Sequence, residues 1–121
     1  MARILIVDDS SLSRRILRNI LEPAAHHVTE AADGIAALEQ YFLDKPDLVL
    51  LDLTMEGMHG LDVLAKLREM DPRARVLVAS ADIQTQTRDL AMAGGALGFI
   101  NKPFIGDQVL EAVTRALKIV E

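Results

Sequence analysis

Four runs of apolar residues, each closed by a charged or hydroxyl side chain, constrain this chain more than any other feature. Arg3-Ile4-Leu5-Ile6-Val7 leads into Asp8-Asp9, and Leu48-Val49-Leu50-Leu51 leads into Asp52. Val76-Leu77-Val78-Ala79 leads into Ser80, and Gly98-Phe99-Ile100 leads through Asn101 to Lys102. A strand with one wet face alternates apolar and polar residues. These runs do not alternate, so they read as parallel strands buried on both faces. If they share one sheet, Asp8, Asp9, Asp52, Ser80 and Lys102 all fall at its carboxyl edge, where open α/β sheets bind ligands.

A fifth run, His27-Val28-Thr29-Glu30-Ala31, alternates and reads as an edge strand. Strands are expected over roughly 3–8, 27–31, 47–52, 75–80 and 96–100, with helical periodicity between them. The first helix would start on Ser10 or Ser11, turn Leu12, Ile16, Ile20 and Leu21 inward, and stop near Glu22 because Pro23 follows. The second would start on Asp33 with Ile35, Leu38 and Phe42 inward, and the third would carry Leu61, Leu64, Ala65 and Arg68. The fourth, roughly 82–93, has only Ile83, Leu90 and Ala91 at helical spacing and ends at Gly94-Gly95, a stop signal. The fifth, roughly 105–119, repeats Val109, Leu110, Val113, Ala116 and Leu117. Strand–helix alternation of this kind gives right-handed crossovers and a parallel sheet covered by helices on both faces.

The 121 residues suffice for one domain, and no linker or repeat divides them. A net charge of −5, with no basic stretch beyond Arg14-Arg15, argues against nucleic acid as a partner. The absence of cysteine excludes disulfides, thiolate metal sites and cysteine nucleophiles. No apolar run approaches the ~20 residues of a membrane span, and the amino-terminal segment lacks a signal-peptide pattern, so a cytoplasmic location is expected. With three Phe, one Tyr and no Trp, a flat cofactor gripped by ring stacking is disfavoured.

Adjacent carboxylates at an apolar strand end repel unless a cation lies between them. Oxygen-only ligands select a hard ion, and Mg²⁺ is the obvious one. A helix cap beside a surface acid is the competing reading of Asp8-Asp9, and it stays open at this point. Asp52 ends the most apolar strand, where a carboxylate without a partner is expensive. Lys102 can supply that partner, as a structural ion pair or in a reactive cleft. A carboxylate near a metal can attack phosphorus, and phosphoryl transfer asks mainly for positioning and charge neutralisation. Mg²⁺, Lys102 and the Ser80 hydroxyl could provide three such contacts.

Five segments together resemble the response-regulator receiver domain, from Arg3 to about Val120. They are Ile6-Val7-Asp8-Asp9-Ser10, Asp47-Leu48-Val49-Leu50-Leu51-Asp52-Leu53, Gly57-Met58-His59-Gly60, Val78-Ala79-Ser80-Ala81 and Asn101-Lys102-Pro103-Phe104. The resemblance implies a doubly wound, flavodoxin-like α/β fold of five parallel strands in the order 2-1-3-4-5 with five helices, residues 1–121 forming one receiver domain. It implies that Asp52 accepts a phosphoryl group from a histidine kinase or phosphotransfer protein of a two-component system. Asp9 and Asp52 would ligate Mg²⁺ directly with the Thr54 main-chain carbonyl, and Asp8 through a bound water. Ser80 and Lys102 would hold phosphoryl oxygens, and the Lys102–Pro103 peptide would be cis. In the implied switch, Ser80 moves toward the phosphate and Phe99 rotates inward behind it, although ordinary core packing accounts equally for Phe99. With no effector domain following, output would be protein binding through the face of the fourth helix, fifth strand and fifth helix. The chain would act as a monomer or a phosphorylation-dependent dimer, away from membranes and nucleic acid.

Two residues depart from the family pattern: Glu56 stands where proline is common, and His59 where aspartate is frequent. Glu56 is expected to loosen its loop and alter metal affinity. His59 is a pH-sensitive neighbour of the cleft, and all three histidines (26, 27 and 59) are expected at the solvent. Thr54 and Asp82 flank the cleft at positions that tune acyl-phosphate lifetime in the family. Candidate outputs are a chemotaxis or flagellar-motor regulator and a phosphorelay intermediate. A small Mg²⁺-dependent aspartyl phosphatase would need a general acid where Thr54 stands, and a cap the length forbids. A flavodoxin-like electron carrier would need a phosphate loop where Asp8-Asp9 repel phosphate.

Overall fold

The apolar runs form strands whose successive side chains feed opposite faces of one sheet. In the computed structural model, which describes residues 1–55, 57–81 and 83–119, the strands are β1 (Arg3–Val7), β2 (His27–Ala31), β3 (Leu48–Leu51), β4 (Val76–Ser80) and β5 (Gly98–Asn101). The helices that alternate with them are α1 (Ser11–Leu21), α2 (Gly34–Asp44), α3 (Gly60–Met70), α4 (Thr85–Ala93) and α5 (Gly106–Leu117). All pairings are parallel, in the order β2-β1-β3-β4-β5. This is the expected doubly wound arrangement, with the alternating strand β2 at an edge.

Leu5, Val7, Val49, Leu51, Val76 and Val78 pack with Ala37 and Tyr41 of α2, Val63, Leu64 and Leu67 of α3, and Ala91 of α4. Ile4, Ile6, Leu48, Leu50, Leu77, Ala79 and Ile100 pack on the other face with Leu17 and Leu21 of α1 and Val109, Val113 and Ala116 of α5. Full burial of each large apolar side chain contributes about 1.5–3 kcal/mol, which accounts for the absence of polar residues inside these strands. The register aligns the strand ends: Val7 lies beside Leu51, Leu51 beside Val78, and Ser80 beside Asn101. The polar residues that close the runs are thereby drawn level.

The helix starts follow local chemistry. Ser10 Oγ accepts from the Ser13 N–H at 3.2 Å, and Asp33 Oδ1 from Ala36 N–H at 2.8 Å. A 3-10 turn over Glu22–Ala24 carries Pro23 and stops α1. Gly95, at φ +104°, lets the chain leave α4.

Three helix faces differ from expectation. On α1, Leu12 and Ile16 are exposed while Leu17 and Leu21 are buried. On α2, Ile35 and Phe42 are exposed while Ala37 and Tyr41 are buried. On α3, Val63, Leu64 and Leu67 form the inner stripe and Ala65 is exposed. Each pattern contained two apolar stripes about one residue apart, and the sheet selects the one it faces. His26 also departs from its expected solvent position. It is half-buried, and its Nδ1 accepts from the Ala2 N–H at 3.2 Å, with burial and the chain's amino terminus lowering its pKa. Among the described residues, no helix is long and apolar enough to cross a membrane.

Candidate functional site

The main-chain ladder runs one rung past β1 and β3: Asp8 N–H donates to Ala31 O at 3.1 Å and Asp52 N–H to Val7 O at 2.9 Å. Their carboxylates therefore leave the sheet side by side at its carboxyl end. Asp8 and Asp52 are only 1% and 2% exposed, while Asp9 faces solvent. Ser80 ends β4, and Lys102 follows β5 with its N–H donating to Ser80 O at 3.1 Å. The Lys102–Pro103 peptide is cis.

Asp52 Oδ1 accepts three hydrogen bonds: from Ser80 Oγ at 2.6 Å, Thr54 N–H at 3.1 Å and Thr54 Oγ1 at 3.1 Å. Ser80 Oγ in turn accepts from the Leu53 N–H at 2.7 Å. Lys102 Nζ lies 3.4 Å from Asp52 Oδ2 and 2.9 Å from Asp8 Oδ2. Burial pushes the Asp52 carboxyl upward, but Ser80, the Thr54 N–H and Lys102 together outweigh it and hold the group below the usual carboxylate range. Asp8 goes the other way. Burial and the charge of Asp52 outweigh the bond from the Ser10 N–H and the nearby Lys102 ammonium, so its carboxyl is raised. Lys102 is raised despite burial, because both aspartates face it.

Whether these residues suit a hard cation is answered by their donor set. One carboxylate oxygen from each of Asp8, Asp9 and Asp52 lies within 4.8 Å of the others. Asp8 Oδ2 is fully buried and, among the described residues, receives no hydrogen bond of good geometry; it lies 2.9 Å from the Lys102 ammonium. A buried anionic oxygen without a directional donor beside two further carboxylates fits a divalent ion bound through oxygen.

The loop after β3 is held by α3. His59 Nδ1 accepts from the Leu61 N–H at 3.1 Å and so caps α3. Aspartate performs the same task by the same means, so the departure at His59 preserves the cap. Gly60 donates to Leu53 O at 3.3 Å, and a Cβ there would lie 2.4 Å from Leu53 Cα and 2.8 Å from Asp52 O. Glu56 and Asp82, singled out from the sequence, lie outside the described residues. A cavity of about 350 Å³ opens beside Ser80, lined by Leu53, Thr54, His59, Ala81, Ile83 and Thr87 among others. Phe99 is half-buried on β5, at the margin of the core, with the Arg88 guanidinium of α4 4.3 Å from its ring centroid. Sequence reasoning missed the Thr54 hydroxyl bond, the His59 cap and the Arg88 contact. Only the cap had a local signal, an acceptor side chain directly before a helical run.

The sequence and the sheet both resemble those of known proteins. Residues 4–114 match the model of the response regulator receiver domain. The chemotaxis protein CheY of Listeria monocytogenes is 42% identical, over 98% of this chain and 100% of that protein. The sporulation initiation phosphotransferase F of Bacillus subtilis is 33% identical, over 97% and 94%. A CheY-like response regulator receiver domain protein from Methanospirillum hungatei superposes with a TM-score of 0.92 at 26% identity, covering 97% of this chain and 94% of that one. A flavodoxin-like sheet ending in these clustered carboxylates, together with a family match across nearly the whole chain, places this protein among the response regulator receiver domains of two-component signalling.

Proposed function

We propose that residues 1–121 act as one receiver domain, a cytoplasmic switch in which Asp52 takes a phosphoryl group from the phosphohistidine of a kinase or phosphotransfer protein. The observation that carries this reading is the asymmetry of Asp52. Oδ1 is occupied by three donors, while Oδ2 faces Lys102. A carboxylate held ionised and immobile, with one oxygen turned toward a cation, is a prepared nucleophile. In the transfer, the P–N bond of the donor breaks, a P–O bond to Asp52 forms, and the proton needed by the departing imidazole comes from solvent or the donor protein.

Asp9 and Asp52 would hold Mg²⁺ directly with the Thr54 carbonyl, and Asp8 would do so through water. The ion would neutralise charge on the phosphoryl oxygens. Lys102 shares that task, because phosphorylation of Asp52 frees its ammonium from one of its two carboxylates. Ser80 then exchanges its bond to Oδ1 for one to a phosphoryl oxygen, which draws β4 and the following loop toward the site. Phe99 follows inward, and the change is read on the face of α4, β5 and α5. Leu90 and Met92 are exposed on α4, whose inner face buries only Ala91, so this helix is poised to shift. Higher identity to chemotaxis regulators than to the sporulation phosphotransferase favours a chemotaxis-type output over a relay step.

The test is incubation with acetyl phosphate with and without Mg²⁺, followed by intact mass. One phosphoryl adduct that requires Mg²⁺ and is lost in Asp52→Asn supports the switch. Continuous hydrolysis of phosphomonoesters without an adduct would instead support a phosphatase.

A further inference from the structure

Val7 is the last residue of β1 paired on both sides, so the Asp8 carbonyl emerges beyond the ladder. A main-chain acceptor at such a place needs a partner. Arg14, in the first turns of α1, supplies it: Nη1 donates to Asp8 O at 2.7 Å. The same guanidinium donates from Nε to Glu30 Oε1 at 2.8 Å. Glu30 stands on β2 beside Ile6 and also accepts from Arg18 Nε at 2.7 Å, while Arg18 Nη1 reaches Glu22 at 2.8 Å. The Arg14 and Glu30 side chains are 18% and 28% exposed, so the pair is largely shielded from water.

This link acts on the neighbouring residue. A peptide group is planar, so fixing the Asp8 carbonyl also fixes the direction in which the chain continues to Asp9. The Asp8 carboxylate has its own restraint, the Ser10 N–H at 2.9 Å. Asp9 is exposed, and the peptide plane before it sets where its side chain leaves the main chain.

We infer that Arg14 is a positioning residue for the acidic pair, aiming Asp9 at a bound cation through the Asp8–Asp9 peptide. Glu30 completes the device by fixing the guanidinium plane and offsetting its positive charge, which would otherwise oppose a nearby divalent ion. The inference rests on reading Asp8, Asp9 and Asp52 as a Mg²⁺ site. Arg18 provides an internal control, because it holds the other oxygen of Glu30 and bonds Glu22 rather than the Asp8 carbonyl.

The experiment is a Mg²⁺ titration of the unphosphorylated protein, followed by amide NMR shifts, with thermal melts of each metal-free variant. Asp9→Asn should abolish saturable binding; if it binds like the wild type, the site reading fails and the inference with it. Arg14→Ala should bind about tenfold more weakly, at the low end for a residue supporting a metal ligand. Arg14→Lys keeps donors and a charge but lacks the planar fork that spans the Asp8 carbonyl and Glu30, so it should lose less than Arg14→Ala, and it serves if Arg14→Ala does not fold. Arg18→Ala should melt lower yet bind Mg²⁺ like the wild type. If Arg14→Lys binds like the wild type, or the Arg14 and Arg18 variants weaken Mg²⁺ equally, Arg14 serves stability alone and the inference is overturned.

Discussion

Gly60→Ala tests how α3 is seated against the strand that carries Asp52. The added methyl would lie 2.4 Å from Leu53 Cα, 2.8 Å from Asp52 O and 2.9 Å from Leu53 Cδ2. Carbon atoms in contact rest at about 3.5–4 Å, so the helix and the strand end must separate by roughly 1 Å. The closest two neighbours are backbone, which cannot swing aside as a side chain would. Overpacking of this kind costs about 1–3 kcal/mol, and the upper end applies here. Alanine's better helix propensity returns up to about 1 kcal/mol, which leaves a net loss of about 2 kcal/mol. For a domain of this size that corresponds to a fall in Tm of about 8 °C. Gly106→Ala is the matched control, since among the described residues a Cβ at Gly106 meets nothing within 4 Å. It should leave Tm unchanged or raise it slightly. Thermal melts by far-UV circular dichroism read both. Equal Tm values for the two variants would refute the claim that α3 is wedged against Asp52 and Leu53.

Ser80→Ala removes a donor to Asp52 and leaves the buried Leu53 N–H without its acceptor, so it should cost about 1–3 kcal/mol in urea unfolding and slow phosphorylation; unchanged stability would show that the 2.6 and 2.7 Å bonds contribute little. Asp8→Asn relieves a buried carboxylate disfavoured by burial and by Asp52, so the metal-free protein should melt higher at neutral pH while the Mg²⁺-dependent rise in Tm shrinks. A lower metal-free Tm would count against that reading of Asp8. Glu30 is held below its ordinary pKa because Arg18 and Arg14 outweigh burial, and Asp71 because it accepts from the Arg73 N–H and the Tyr41 hydroxyl. Depressed acids contribute stability that is complete above their unfolded values, about 4, and is lost as pH falls through the lower folded values. Urea midpoints measured across that window should therefore drop less steeply in Glu30→Gln and Asp71→Asn than in the wild type, and parallel curves would contradict the assignment.

The sheet was legible because its strands are buried on both faces, which leaves uninterrupted apolar runs such as Leu48–Leu51 that no surface element needs. The site was legible for a related reason: inside so apolar a frame, Asp8, Asp52 and Ser80 stand out as groups requiring partners. The helix faces were harder. Choosing the bulkiest residues favoured Ile35 and Phe42 on α2, but the sheet accepts Ala37 and Tyr41, where a small side chain allows close approach and Tyr41 can donate to Asp71 at 2.8 Å. Period alone does not separate two stripes one residue apart. Arg14 was invisible as a positioning group because its partners, the Asp8 carbonyl and Glu30, meet only when β2 pairs with β1. His59 read as a departure until its role as a helix cap showed that the position asks for an acceptor, which imidazole also supplies.

The central claim is that Asp52, among several nearby oxygens, is the phosphoryl acceptor. Reduction of the phosphorylated protein with borohydride converts an aspartyl phosphate to homoserine, and peptide sequencing by mass spectrometry then locates it. Homoserine at position 52 alone is the predicted result. Homoserine at position 8 or 9, or a reduction-resistant phosphate ester on Ser80 or Thr54, would contradict the account.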